Sequence, residues 1–276
     1  MSSQMVADQG RLYQLFKYAV YALLTANIFF FFAEEWAAAA HRFTEGIRAP
    51  DLIEAFAATI DTAAWVILLL IFELETSVLN GRDVSARARW GLNVLRTFCY
   101  VFIIYAFYGY LVKMLFLGQT DVIEDITDIC AIVDGTWAYA IDLDEYETLT
   151  AANCTDFSLA NSFLQLPGLS VLVDKAGFIE IFRLSWADLI NSGTWLFVVL
   201  VLEMDVRVHQ ENSLFSVFQR VSSFSKWILY GILLLAAIYW GFKGDFVDFW
   251  DAFLWIVAFV FIELNVFNLQ QEPPTI

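Results

Sequence analysis

The chain has 276 residues, of which 60% are hydrophobic and only 17% charged, and its mean hydropathy is +0.63. A soluble domain carries about 45–50% apolar and about 25% charged residues, so the composition argues against an ordinary soluble enzyme and against a disordered chain. Thirty-one acids against 15 bases leave a net charge of −16, a poor surface for nucleic acid, whose phosphates require Lys and Arg.

A membrane-spanning helix needs about 20 mostly apolar residues. Six stretches qualify: Lys17–Ala33, Ala57–Leu79, Arg96–Leu117, Asp188–Val208, Lys226–Phe242 and Asp251–Leu269. They are too long for strands. The first follows Arg11 and Lys17 and has no small-residue cleavage site soon after it, so it is expected to be retained rather than removed as a leader. The 27 Phe, 10 Trp and 11 Tyr suit a lipid-facing surface with interfacial belts.

Orientation follows from the short basic loops. Arg11 and Lys17, then Arg82, Arg87, Arg89 and Arg96, then Arg207, Arg220 and Lys226 all fall on one side of a chain that crosses six times. That side is expected to be cytoplasmic in an inner or plasma membrane, with both termini there. The other side then holds a short loop after Glu34, a long segment from Gly118 to about Ile181, and a turn around Lys243–Asp248.

The long segment carries ten acids between Asp121 and Asp156 and no Lys or Arg between Lys113 and Lys175. Cys130 and Cys154 lie in it, and an oxidising compartment predicts a disulfide between them. Cys99, inside the third stretch, reads as a small apolar residue. Asn153-Cys154-Thr155 matches the glycosylation sequon weakly, since a bridge at its middle residue hinders modification. The acids from Asp142 to Glu147 faintly suggest calcium but lack the glycine and spacing of an EF-hand loop.

A threefold repeat runs through the spans. Asp61, Trp65 and Glu73 recur at identical spacings as Asn191, Trp195 and Glu203, and as Asp251, Trp255 and Glu263. The odd spans each open on a base followed four residues later by Tyr: Lys17 and Tyr21, Arg96 and Tyr100, Lys226 and Tyr230. Seventeen residues beyond each base stands another charge: Glu34, Lys113 and Lys243. The expected fold is therefore all-α. One membrane domain, 1–276, is made of three pseudo-repeated hairpins (11–80, 89–210 and 220–270), with a disulfide-bearing extracytoplasmic insertion at 118–181. Six helices about a pseudo-threefold axis suggest mitochondrial carriers, but the Pro-x-[DE]-x-x-[KR] signature of that family is missing from a chain whose prolines are Pro50, Pro167, Pro273 and Pro274.

The three Glu fall at one depth. With a rise of about 1.5 Å per residue, Glu73 lies some 18 Å inward of Asp61, about 7 Å from the level of Lys17. Buried charge at that depth needs partners. A structural reading supplies a clamp per hairpin: Lys17, Tyr21 and Glu73; Arg96, Tyr100 and Glu203; Lys226, Tyr230 and Glu263. A functional reading lets the three Glu converge as a cation or proton pathway, with Glu75, Asp205 and Asn265 on another helix face. Trp65, Trp195 and Trp255 read as interfacial anchors. Asp61, Asn191 and Asp251 read as helix N-caps, as do Asp188 and Asp248.

Enzyme signatures such as G-x-S-x-G, H-E-x-x-H, a P-loop or C-x-x-C are missing. His41 and His209 stand near expected helix ends, which argues against a bis-His haem or a His-rich metal site. Neither cofactor nor metal is expected. The leading expectation is a channel or transporter for cations or small solutes working through the Glu triplet. The second is a non-catalytic accessory or scaffold subunit, with the bilayer, other membrane subunits or further copies of itself as partners.

Overall fold

The structure is a computed structural model that describes residues 2–43, 46–78, 85–119, 121–123, 128–133, 136–157, 163–166, 169–208 and 215–271, with side chains left undescribed at 2–10, 77–78, 121–123, 203, 205–208, 215–220 and 260–271. It is mostly helical. The long helices are α1 (Ser2–Arg42), α3 (Ala57–Glu73), α4 (Ala86–Leu117), α6 (Lys175–Val208), α7 (Phe215–Lys243) and α8 (Phe246–Gln271). A short α2 (Leu52–Ala55) precedes α3, and α5 (Cys154–Phe157) lies in the insertion. Among the described residues, five segments are long and apolar enough to cross a membrane: Arg11–Arg42, Ala57–Thr76, Ala86–Leu117, Lys175–Leu202 and Val221–Lys243.

Helix starts are set by local side chains. Asp174 precedes α6, and its Oδ1 accepts the Gly177 amide at 2.7 Å. Asp245 does the same for Asp248 at the start of α8, at 3.3 Å, and the Ser85 hydroxyl accepts from the Ala88 amide at the start of α4, also at 3.3 Å. These are N-cap bonds, which occupy amides that the first helical turn leaves free. Asp61, Asn191 and Asp251 are not caps. Each lies at least one full turn inside its helix: α3 begins at Ala57, four residues before Asp61, and α6 and α8 begin earlier than their apolar runs. Asp188 and Asp248 are likewise inside α6 and α8.

Two further boundaries differ from the sequence reading. α1 continues through Glu34 to Arg42 instead of ending in a loop, and α6 starts at Lys175 rather than at Asp188. In both places the helix outruns its hydrophobic core, since polar residues do not break a helix.

The chain divides into two compact units. One comprises Met1–Phe30, Thr62–Phe102 and Thr194–Ile276. Its interior includes Leu24, Leu69, Cys99, Val198, Leu233, Trp240, Leu254 and Ala258. Here α7 and α8 form a tight hairpin. Gly244, at φ +88°, takes the left-handed conformation that a side chain disfavours, and its amide returns to the Trp240 carbonyl at 3.0 Å. Asp245 then starts α8.

The other unit comprises Phe31–Asp61 and Ile103–Gly193. It holds the insertion, which is not the irregular loop expected of an all-α fold. Five short strands, β1 (Asp121–Ile123), β2 (Ala138–Ala140), β3 (Tyr146–Thr148), β4 (Phe163–Gln165) and β5 (Val171–Asp174), form one sheet in the order β1-β4-β5-β2-β3. All neighbours are antiparallel except the parallel pair β2 and β5. Ile129, Tyr139, Leu149, Cys154, Phe163 and Leu172 make its core. The Cys130–Cys154 disulfide closes across it, with Cα atoms 5.2 Å apart. Cys99 is a buried free cysteine.

Candidate functional site

The first candidate is an ionic clamp between α1 and the end of α3. Lys17 Nζ lies 2.6 Å from Glu73 Oε1, and the two side chains are only 6% and 8% exposed. Tyr18 donates its hydroxyl to Oε1 at 3.1 Å, and Tyr21 donates to Oε2 at 3.4 Å. One ammonium and two phenols thus surround one carboxylate. Tyr18 had no place in the repeat. It enters because residues one and four positions past Lys17 both lie within a turn of it.

Directly after Glu73 the helix widens into a π turn, Leu74–Val78. Glu75, in that turn, pairs with Arg96 of α4. Arg96, expected to group with Tyr100 and Glu203, thus donates to a carboxylate 21 residues away across the inner linker. The Glu203 and Glu263 side chains lie outside the described residues, so the Glu73 clamp is the only member of the triplet described in full. Lys226, Tyr230 and Tyr100 are described, and none of them is without a partner. His209 also lies outside the described residues.

The second candidate is an aromatic triangle. Trp65, Trp195 and Trp255 are 8%, 7% and 5% exposed, and they touch one another. Their ring centroids are 6.0, 6.2 and 6.4 Å apart, and their planes meet at 56°, 64° and 62°. Phe259 packs on Trp195 at 4.5 Å. These indoles are core, not interfacial anchors, because their helix faces turn inward toward one another. Aromatic pairs in this range add about 0.5–1.5 kcal/mol each beyond their buried area.

The aspartate four residues before Trp255 has a role in this cluster. Asp251 accepts the Trp255 indole N–H, and it accepts Asn27 Nδ2 of α1 at 2.8 Å. Asn27 is 1% exposed. Its signal in the sequence was a lone carboxamide in an apolar run. In the span-four copy of the motif the Asn191 side-chain oxygen is buried without a hydrogen-bond partner among the described residues.

In the other unit Glu35 is buried and accepts the amides of Ala58 (2.8 Å) and Thr59 (3.0 Å) and the Thr59 hydroxyl (2.6 Å). A carboxylate from α1 therefore caps α3, where the helix dipole favours negative charge. Lys113, 9% exposed, holds both oxygens of Asp144 at 2.7 and 2.6 Å, and so fastens the end of α4 to the segment between β2 and β3. Arg42 pairs with Glu54 at 2.7 Å, and the His41 ring lies 5.8 Å from that of Tyr146.

Several of the described acids of the insertion are engaged. Asp142 binds the Leu143 amide, Asp144 binds Lys113, and Glu147 accepts from Asn153 at 2.8 Å. Among the described residues no three His, Cys, Asp or Glu converge as metal ligands. Asn153 is consumed as well. Its oxygen accepts from the Thr150 amide and hydroxyl, and its nitrogen also donates to the Thr148 carbonyl. With Cys154 bridged beside it, this asparagine is a turn-former and a poor glycan acceptor. Burial pushes the Tyr139 phenol up to about 12, reinforced by the charge of Asp174, to which its hydroxyl donates at 3.0 Å.

Comparison with family models, with curated proteins and with solved structures finds no match to this chain.

Proposed function

We propose that the chain is a six-span membrane protein made of three related hairpins, with α8 as the sixth span, and that it serves as a non-catalytic scaffold subunit of a larger membrane assembly. The aromatic triangle carries this reading. Three residues at one repeat position make three nearly equal pairwise relations, as an approximate threefold rotation requires. The indoles fill the space where the hairpins meet, and that favours a closed axis over a conducting one.

The Glu73 clamp supports the same reading. Its carboxylate is matched by a lysine and two phenols, so the group serves the bundle's own cohesion. Basic inner loops and the disulfide support termini in the cytoplasm and an insertion on the oxidising side. Exposed aromatics are plentiful on the helices, for example Phe224, Trp227 and Phe242 at 68%, 80% and 86%.

The test is reconstitution of the purified chain. Vesicles containing it should pass sodium and potassium no faster than empty ones, and Glu73→Gln/Glu203→Gln/Glu263→Gln, compared at equal amounts of folded protein, should leave that rate unchanged. Cation flux that the triple substitution abolishes would establish the conducting reading instead. In mild detergent the chain should leave its native membrane in a fixed ratio with another membrane protein. Recovery as a lone chain overturns the scaffold role.

A further inference from the structure

The first turns of α4 stand clear of the rest of the chain. Residues Ser85–Gly91 are all exposed, and a Cβ built on Gly91 meets nothing within 4 Å. Arg87 and Arg89 have no ion-pair partner among the described residues, in a protein with 31 acids. Arg96, further along, is already committed to Glu75.

From Arg87 the exposed positions continue as Trp90, Val94, Phe98 and Val101, at 70%, 47%, 58% and 58%. The steps of three and four residues keep them on one helix face. Arg89 flanks this strip beyond Trp90. Fourteen residues at about 1.5 Å each make the strip roughly 21 Å long. Half of a bilayer with its headgroups is roughly that thick.

Reading along it, a cation comes first, then an indole, then hydrocarbon. A phospholipid presents phosphate, glycerol esters and acyl chain in that order. We propose that this face of α4 binds an anionic phospholipid, with Arg87 on the phosphate, Trp90 at the ester level and Val94, Phe98 and Val101 along the acyl chain, while Arg89, on the adjoining flank of the helix, adds attraction for the anionic headgroup without sharing that phosphate. Charge decides for an anionic lipid, because a zwitterionic headgroup brings its own cation to an already cationic site. This inference rests on the membrane-spanning reading and is independent of the scaffold role.

The experiment places the full chain in phosphatidylcholine vesicles containing an equal fraction of either dibrominated phosphatidylglycerol or dibrominated phosphatidylcholine. Bromine quenches nearby indoles, and the Trp90 contribution is the emission that Trp90→Phe removes. The brominated anionic lipid should quench Trp90 at lower mole fraction, by about fivefold for each arginine engaged. Arg87→Gln/Arg89→Gln should erase that preference, and Arg87→Lys/Arg89→Lys should keep most of it. Both arginines are exposed and have no ion-pair partner among the described residues, so these variants should fold, which helical dichroism checks. Equal quenching by the two lipids, or a preference that survives the glutamine pair, overturns the site. Trp90 shielded from both lipids while other indoles are quenched shows the face covered by protein and also overturns it. Quenching of no indole by either lipid would remove the membrane reading itself.

Discussion

Removing the charge of Lys17 while keeping its bulk tests the clamp directly. In Lys17→Met the Glu73 carboxylate loses a cation 2.6 Å away and keeps two phenols, in a site where both partners are under a tenth exposed. Breaking a buried pair from one side typically costs about 3–5 kcal/mol, since a charge is left without compensation. Glu73→Gln should cost a similar amount, now through a stranded ammonium. The double variant Lys17→Met/Glu73→Gln buries no charge and should return to within about 1–2 kcal/mol of the wild type, as replacements of whole buried pairs do. The coupling between the two positions then comes to roughly 4 kcal/mol or more. Neutral hydrogen bonds between membrane helices average only about 0.6 kcal/mol in such cycles, so the two descriptions are well separated. Unfolding in detergent by a graded denaturant, followed by tryptophan emission, measures all four proteins. A double variant as weak as the sum of the singles, or a coupling near the neutral value, would place the pair in a wet site and refute the clamp.

Trp255→Ala removes one corner of the aromatic triangle and should destabilise by about 3–5 kcal/mol; Trp65→Ala and Trp195→Ala should cost similar amounts, and strongly unequal losses by the same unfolding assay would count against equivalent corners. Cys130→Ser/Cys154→Ser opens a loop whose ends are 24 residues apart, worth about 3.5 kcal/mol on chain-entropy reasoning; near-ultraviolet dichroism of the insertion should fade while helical dichroism stays. Glu35→Ala leaves the Ala58 and Thr59 amides buried without an acceptor and should cost about 1–3 kcal/mol, read as faster hydrogen exchange at those two amides. The Tyr139 phenol is held protonated to about 12 in the folded insertion, whereas an unfolded chain releases it near 10. Its contribution is therefore complete below pH 10 and is lost as the pH rises to about 12; an insertion whose alkaline melting is unchanged in Tyr139→Phe would contradict that assignment.

Long-range order was legible here where it rests on hydrophobic length. Runs of apolar residues located five membrane-length helices, and the spacing of Lys17, Tyr21 and Glu73 foretold which groups could share one level. The insertion was not legible. Its strands are three or four residues long, too short for an alternating pattern to stand out, and they are paired by backbone bonds and clamped by one disulfide. Helix ends were missed for a related reason. Asp174 and Asp245 cap helices by sitting just before them, but their sequences place them among many other acids, and nothing local distinguishes a capping Asp from a solvated one.

Partner choice was the hardest feature to read, and Arg96 shows why. Depth along the bilayer narrows its options to carboxylates at one level, but several qualify. The selection is made by the direction in which each carboxylate leaves its helix. Glu73 and Glu75 are two residues apart, so on an α-helix they point nearly opposite ways. One meets α1 and the other meets α4, and the π turn that begins at Leu74 accompanies this division. The same reasoning recasts the [DN]-x3-W spacing. Four residues is one helical turn, so an acceptor at the first position can hold the indole N–H at the second, as Asp251 holds Trp255. In the third copy Asp251 thus orients a tryptophan edge and leaves its faces for the neighbouring indoles, whereas in the second copy the Asn191 oxygen has no hydrogen-bond partner among the described residues. A bundle that turns its recurring tryptophans toward one another is organised for rigidity, and its chemistry with the surroundings is left to the outward faces, where the exposed Arg87 and Arg89 of α4 stand.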